Sequence, residues 1–482
     1  MAKSKPRFPR IAQLKTAESF LQHLSKIEAD LPFRDILNEP GHSIMGHDFR
    51  LRSGKTIGNR FCILPMEGWD GTLQGRPSKM TKRRWHNFAT SGAKLLWGCE
   101  AVAVNPEGRA NPNQLLINEA NLEAFRLLYA DLIQAHESKF GTSSDLYVGL
   151  QLTHSGRFAI PDDDRKRKPK IVYRHSVLDK KFNIPEHYPV LSDDEIDGLV
   201  QDFVRAAALA KEAGFQFVDI KHCHGYLGHE FLSAFNRDGR YGGSLENRTR
   251  FLTSIVRGIK ATSDIPIAVR LSAFDWIPFT QGENDIGVPE KLGSTYHEAF
   301  GGNDTGTGID LSEVFEMIGH LEKMGIEMVC ITAGSPYYVP HIQRPALFPP
   351  SDGYLPPEDP LLGVARQIQV THEIKKRFPN MAIVGSAYSY LQEWLPHVAE
   401  AVVENGMADF VGLGRMVLSY PDMPDDILNG RTLTRGKICR TFSDCTTAPR
   451  IGMISGCFPL DPYYKGKPEA AELKAFKKSS GL

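Results

Sequence analysis

The chain of 482 residues carries 57 basic and 57 acidic side chains, and its zero net charge gives no basis for a nucleic-acid or anionic-membrane partner. The basic N-terminus has no apolar segment of signal-peptide length, and no apolar run reaches the roughly 20 residues of a membrane span, so a cytoplasmic protein is expected. Hydrophobic residues make up 41% and are spread along the chain, enough for a large core.

In chain order, residues 1–58 predict a helical arm and a hairpin that closes the bottom of the main domain. Eight short apolar, β-branched runs then recur, each followed by a helical stretch. They are Arg60-FCILP, Ala93-KLLWGCEA, Asp145-LYVGLQL, Phe215-QFVDIK, Ile265-PIAVRLS, Ile326-EMVCITA, Met381-AIVGSA and Ala408-DFVGLG. Continuous apolar strands of this kind suit a parallel sheet covered by helices. Ser192 and Gly214 mark the start and stop of one amphipathic helix, and the stretch from Asp310 to Gly325 repeats the design. Eight strand–helix alternations without extra strands predict an α/β fold, a closed (β/α)8 TIM barrel over residues 59–430. Two long segments interrupt the alternation: 158–191 after the third strand and 274–309 after the fifth. In a barrel both lie at the C-terminal mouth, where a lid and a solvated or oligomer-contact loop are equally open readings; a homo-oligomer is compatible with the second. Cys62, Cys99, Cys223, Cys330, Cys439, Cys445 and Cys457 have the distribution of reduced thiols, not of a disulfide framework.

The stretch leaving the fourth strand, Val218-DIKHCHGYLGHEFLSAFNRDGRYGGSLENRTRF, concentrates the chemistry. Lys221, His222, His224 and Tyr226 fall within six residues of one another. Successive strand residues point to opposite faces, so Lys221 and His222 diverge. An amine, an imidazole and a phenol at a barrel mouth can bind a carbonyl oxygen and deliver a proton. Zinc needs a further ligand, and none stands at suitable spacing, so no metal is expected.

From Gly225 to Phe251 this stretch resembles the motif of the old yellow enzyme family of FMN-dependent ene-reductases, close to its 2,4-dienoyl-CoA reductase branch. Supporting matches are Asn59-RFCILPMEGWDGT, Gln151-LTHSGR, Val269-RLS and Asp409-FVGLGR, and together they cover roughly residues 45–460. The resemblance implies a tightly but non-covalently bound FMN and NADH or NADPH as hydride donor. It implies Pro65 and Met66 along the flavin edge, Ala101 packed near it, Gln151 on the pyrimidine side and Arg270 near N1 and O2. There a fixed cationic fork stabilises the reduced anion. Gly385 and Ser386 after the seventh strand, with Gly412, Gly414 and Arg415 after the eighth, form the phosphate end, because loops after these strands build the common barrel phosphate site.

The chain departs from that pattern in three places. Where relatives carry His-x-x-His or His-x-x-Asn, it has Lys221 and His224, with His222 displaced by one and facing away. Tyr226 matches the proton donor. Glu67 stands where relatives have Thr, Cys or another small residue beside flavin N5 and O4. A carboxylate there lowers the potential, unless it is protonated, tied to Lys221 or an outer residue, or turned away into a salt bridge, and Trp69 walls the substrate space. Larger relatives hold an iron–sulfur cluster on four cysteines. Here Cys445 and Cys457 keep only the last spacing, Thr441 replaces one ligand and Cys439 is out of register, so no cluster is expected. Residues 431–482 are then a C-terminal extension packing on the barrel. The activity implied is ping-pong, NAD(P)H-driven reduction of the C=C bond of a small α,β-unsaturated carbonyl compound. The alternative is an amine dehydrogenase or demethylase of the trimethylamine dehydrogenase type.

Overall fold

Eight short parallel strands close on themselves in a computed structural model that describes residues 7–292 and 295–480. In order they are Phe61–Ile63, Leu95–Leu96, Tyr147–Thr153, Phe217–His222, Ile267–Ser272, Met328–Thr332, Ala382–Gly385 and Phe410–Leu413. The eighth pairs with the first in the register Gly412 with Cys62, and the second pairs with the third through Leu95 and Tyr147, which completes the ring. The predicted barrel is thus the observed one.

The second strand differs from its prediction as one continuous run. It breaks after Leu96 and resumes as Ala101–Ala103, paired with Gln151–Thr153. The cause lies at the break. Cys99 takes φ +50, and a Cβ on Gly98 would meet the Gln151 backbone nitrogen at 2.7 Å. The detour carries Glu100 to the buried guanidinium of Arg84, 2.6 Å away, which also holds Asp70. A buried carboxylate needs that partner more than the sheet needs four more residues of ladder.

The interior of the ring is a separate apolar cluster that includes Cys62, Leu95, Tyr147, Phe217, Ala268, Met328, Ala382 and Phe410. These residues take alternate positions on their strands, while Val218, Ile220, Val269 and Val411 face the helical shell. At the bottom, the antiparallel hairpin of Phe49–Arg50 with Thr56–Ile57 plugs the barrel, and Leu51 and Ile57 join the inner cluster. The helix Ala17–Lys26 lies against the seventh βα unit, with Phe20 stacked on Trp394 at 5.2 Å. On the shell, the helix Asp193–Ala213 starts with a capping box between Ser192 and Glu195 and stops at Gly214 with φ +105, as its sequence predicts.

The two long segments behave differently. Residues 158–191 contain the short helix Ser176–Lys181 and wall one side of the barrel mouth. Residues 274–309 form a small hairpin, Phe279–Gln281 with Gly287–Pro289, that lies outside the mouth's lining and packs on the segment after the sixth strand, with Phe279 4.6 Å from His341. Among the described residues no helix is long and apolar enough to cross a membrane.

Phe410 is fully buried at the barrel bottom, where its ring meets Phe49 edge-on at 5.1 Å. Phe410→Ala is expected to lower unfolding free energy by about 3–5 kcal/mol. The readout is the midpoint of chemical denaturation, and an unchanged midpoint would contradict the plug.

Candidate active site

The inner-face alternation continues upward into the mouth. After Phe217 come Asp219 and Lys221, and after Ala268 come Arg270 and Ser272, with Lys221 and Arg270 in register. Gln151, Ser386, Gly412 and Gly414 arrive the same way from other strands. These strand ends surround a cavity of about 660 Å³.

A buried carboxylate, Asp219, organises its floor. One oxygen accepts from Gln151 Nε2 at 2.5 Å and the other from the Arg270 backbone nitrogen at 2.6 Å. Burial pushes the Asp219 pKa up to about 6, against the pull of these donors. Arg270 lies 5% exposed; its Nη1 donates to the Pro65 carbonyl at 3.3 Å, while its Nε is buried without a partner. Pro65, Met66, Ala101, Gln151 and Arg270, predicted along the flavin, all line this cavity.

Lys221, His224 and Tyr226 meet on one side of it. The Lys221 ammonium sits 3.8 Å from the centre of the Tyr226 ring, and burial lowers its pKa against the attraction of Cys223 and Glu67. His224 holds the left-handed backbone region at φ +66, a strained choice for a non-glycine residue, fixed by its N–H bond to Ser272 Oγ at 3.0 Å. Its Nε2 lies 3.2 Å from both the Gln343 amide and the Thr332 hydroxyl. Burial first, then Arg270 and Lys221, hold this imidazole neutral, well below the usual histidine pKa. The Tyr226 hydroxyl donates to Glu67 and lies 2.8 Å from the Tyr337 hydroxyl. Burial, followed by the Glu67 charge, drives its pKa well above the phenol range, so Tyr226 keeps its proton. Glu67 therefore neither pairs with Lys221 nor turns away: its second oxygen accepts from Trp69 Nε1 at 3.1 Å. His222 is buried, with Nδ1 3.3 Å from the Ile220 carbonyl and its ring 6.1 Å from Phe251, outside the cavity.

The far end of the cavity is cationic. Arg415 donates to the Pro345 carbonyl at 2.9 Å and keeps Nη1 buried without a partner. Arg344 stands close enough that burial and the Arg415 charge pull its pKa down to about 9. Ser386, Gly412 and Gly414 line this end, and a Cβ on Gly414 would meet nothing within 4 Å. Gly385 does not line the cavity wall itself, and a Cβ there would strike the Tyr388 hydroxyl at 2.7 Å. Gly412 also serves packing, since a Cβ there would lie 2.4 Å from the Gly385 carbonyl oxygen.

Sequence reasoning missed Asp219, although its spacing of two from Lys221 assigns it to the same face. It also missed Tyr337, Gln343 and Arg344 from the segment after the sixth strand, and Cys445 and Arg450 from the C-terminal segment. Among the described residues no group of three or more His, Cys, Asp or Glu side chains is arranged to hold a metal.

Comparison with known proteins agrees with this geometry. The family described as NADH:flavin oxidoreductase / NADH oxidase matches residues 49–300. An NADPH dehydrogenase of Bacillus pumilus is 30% identical over 380 residues, 77% of this chain and 90% of the relative. Another, of Bacillus velezensis, is 35% identical over 231 residues, 46% of this chain and only 61% of that relative's length. Among solved structures, the old yellow enzyme homologue from Zymomonas mobilis shares the fold with TM-score 0.55 at 22% identity, over 81% of this chain and 94% of its own. A 2-naphthoyl-CoA reductase in complex with 2-naphthoyl-CoA shares it with TM-score 0.63 at 18% identity, over 89% of this chain and 58% of its own.

Two neutral histidines brace the turn that presents Tyr226. His154 Nδ1 accepts from the Gly156 N–H at 3.1 Å, and His229 Nδ1 from the Gly225 N–H at 2.9 Å. Burial pulls both pKa values down to about 3. Unfolded imidazoles titrate near 6.5, so below that pH the unfolded state binds more protons and stability falls until the folded pKa is reached. The melting temperature is therefore expected to drop on acidification from pH 7 to 5, less steeply in His154→Gln. A flat profile, or an unchanged slope in the variant, would contradict this.

Proposed function

The chain belongs to the NADH:flavin oxidoreductase / NADH oxidase family, the old yellow enzymes, and from that premise we propose that it uses NADH or NADPH to reduce the C=C bond of an α,β-unsaturated carbonyl compound. The observation that carries this reading is the convergence of Lys221, His224 and Tyr226 on one cavity with Gln151 and Arg270.

The cavity suits FMN on two counts from its own atoms. Arg270 Nε and Arg415 Nη1 are buried donors without acceptors, at opposite functional ends of one space. A flat ring rich in carbonyl and nitrogen acceptors satisfies the first, and a phosphate the second. Gln151, Arg270 and the Pro65–Met66 backbone would hold the ring; Arg415, Arg344, Ser386 and the open backbone at Gly414 would hold the phosphate. When bound, FMN supplies the two-electron carrier that takes hydride from the nicotinamide and yields it to the substrate's β-carbon.

The chain's own residues supply binding and the proton. Lys221, through its ammonium, and His224, through its ring N–H, donate to the substrate carbonyl oxygen and stabilise the enolate as charge builds there. Tyr226 gives its proton to the α-carbon, and the Tyr337 hydroxyl is the adjacent donor that refills it. Glu67, held by Trp69, fixes where the Tyr226 hydroxyl sits. Amine oxidation is the weaker reading, because a cationic amine would meet the Lys221 ammonium and the arginines of the same cavity.

The test is a pair of half-reactions under anaerobic conditions. NADPH or NADH is expected to bleach the flavin, and cyclohexenone or a nitroalkene to restore its colour. Tyr226→Phe is expected to leave bleaching intact and slow the return by about 10²-fold or more. Reoxidation no faster with any such acceptor than in buffer would refute the reading.

A further inference from the structure

Beyond Tyr337 the cavity wall carries three guanidinium groups that the chemistry above does not use; Arg165 donates to the Gly452 carbonyl at 2.7 Å, and the other two lie against Tyr337 and the ring it stacks on. Arg167 comes from the segment after the third strand, and Arg450 ends the C-terminal helix Asp444–Arg450. Tyr337 links them to the reacting end: its ring stacks on Phe158 at 4.1 Å and its hydroxyl lies 2.8 Å from that of Tyr226. The Arg450 guanidinium is 5.6 Å from the Tyr337 ring centre, and that of Arg167 is 4.5 Å from Phe182 and 5.7 Å from Phe158.

Their pairing is incomplete. Arg450 donates to the Pro336 carbonyl at 3.2 Å and pairs with Asp352, an acid left 48% exposed at the cavity edge. Arg167 has no acidic partner among the described residues; the titratable groups that reach it are the neutral Tyr337 phenol and the cations Arg450 and Arg157. Two half-buried cations facing one space, one of them without an anion, are costly unless an anion enters. Phe182 and Phe158 flank the Arg167 guanidinium by cation–π contact, which restrains its fork beside the cavity. Arg415 lies toward the seventh and eighth strands, and Arg344, bonded to Thr446 on the helix that ends at Arg450, stands between the two groups.

We propose, resting on the function above, that the substrate carries an anionic oxygen group, a carboxylate or a phosphate monoester, which docks between Arg167 and Arg450 while its enone meets Lys221, His224 and Tyr226. The nicotinamide also bears phosphates, and the experiment separates the two sources.

The holoenzyme is assayed in both half-reactions with three matched enones: one ending in a carboxylate, one in a phosphate monoester and one in the neutral methyl ester. At least one anionic enone is expected to exceed the ester in kcat/KM by about tenfold to a hundredfold, mainly through KM, with the preference shrinking as salt rises. In Arg167→Gln that ratio is expected to fall toward one, and in Arg167→Lys to recover in part. Binding of the saturated, non-reducible carboxylate and phosphate analogues, followed by the flavin absorption spectrum, should weaken by a similar factor. Equal rates for ester and acids in the wild type overturn the proposal, as does an Arg167→Gln that lowers all three alike. So does a variant that slows bleaching by NADPH and leaves the enone ratio untouched, which would assign Arg167 to the nicotinamide. If the ester is turned over and the acids gain nothing, only this inference fails. If no enone restores the flavin, the C=C reading fails, and tight, Arg167-dependent binding of a saturated analogue still supports the anion site, while its absence overturns it.

Discussion

Asp219 is the contact on which the site depends. A single carboxylate inside the barrel fixes Gln151 from the third strand and the backbone of Arg270 from the fifth, at 2.5 and 2.6 Å. Its own strand, the fourth, carries Lys221 two residues later and His224 just beyond. Three neighbouring strand ends are thereby locked in mutual register at the depth where a flat ligand would rest. Burial makes the charge expensive, and only donors aimed from both sides make it tolerable. A floor built this way is rigid before any ligand arrives, which suits a site whose donors must already point at the reacting atoms.

Much of this was legible in the sequence because strands impose a period of two. Phe217, Asp219 and Lys221 alternate with Val218, Ile220 and His222, so Lys221 had to enter the barrel and His222 had to join the helical shell. The helix from Asp193 to Ala213 was equally plain, since its capping box and terminal glycine are local chemistry. The break in the second strand was not visible, because it follows from a long-range pairing of Glu100 with Arg84. Nor was the wall formed by Tyr337, Gln343, Arg344 and Arg450. Those residues lie in irregular segments with no period, and tertiary contacts decide their positions: Tyr337 on Phe158, Arg344 with Ser443 at 2.7 Å. At Gly385 the sequence motif gave no sign of the packing role, since the room it leaves for Tyr388 is a tertiary contact.

The balanced net charge of the whole chain conceals a strongly uneven interior. The cavity gathers Arg165, Arg167, Arg270, Arg344, Arg415, Arg450 and Lys221 around one space, against Glu67 and Asp352. Glu67 is committed to Tyr226 and Trp69, and Asp352 to Arg450. The remaining positive charge is unevenly paired, and its distribution explains why anionic partners are expected at both ends. One end would take the phosphate of a flavin nucleotide, the other the proposed anionic group of a substrate. The neutral His224, kept uncharged by burial and then by Arg270 and Lys221, lets the cavity donate a hydrogen bond without adding a further charge.

A cavity organised in this way must grip its cofactor by the phosphate as well as by the ring. The direct measurement is titration of the apoprotein with FMN and with riboflavin, followed by flavin fluorescence. FMN is expected to bind with one-to-one stoichiometry and at least about a hundredfold more tightly than riboflavin, as two charge-assisted contacts from Arg344 and Arg415 would give. Equal affinity for the two, or no binding of either, would contradict it.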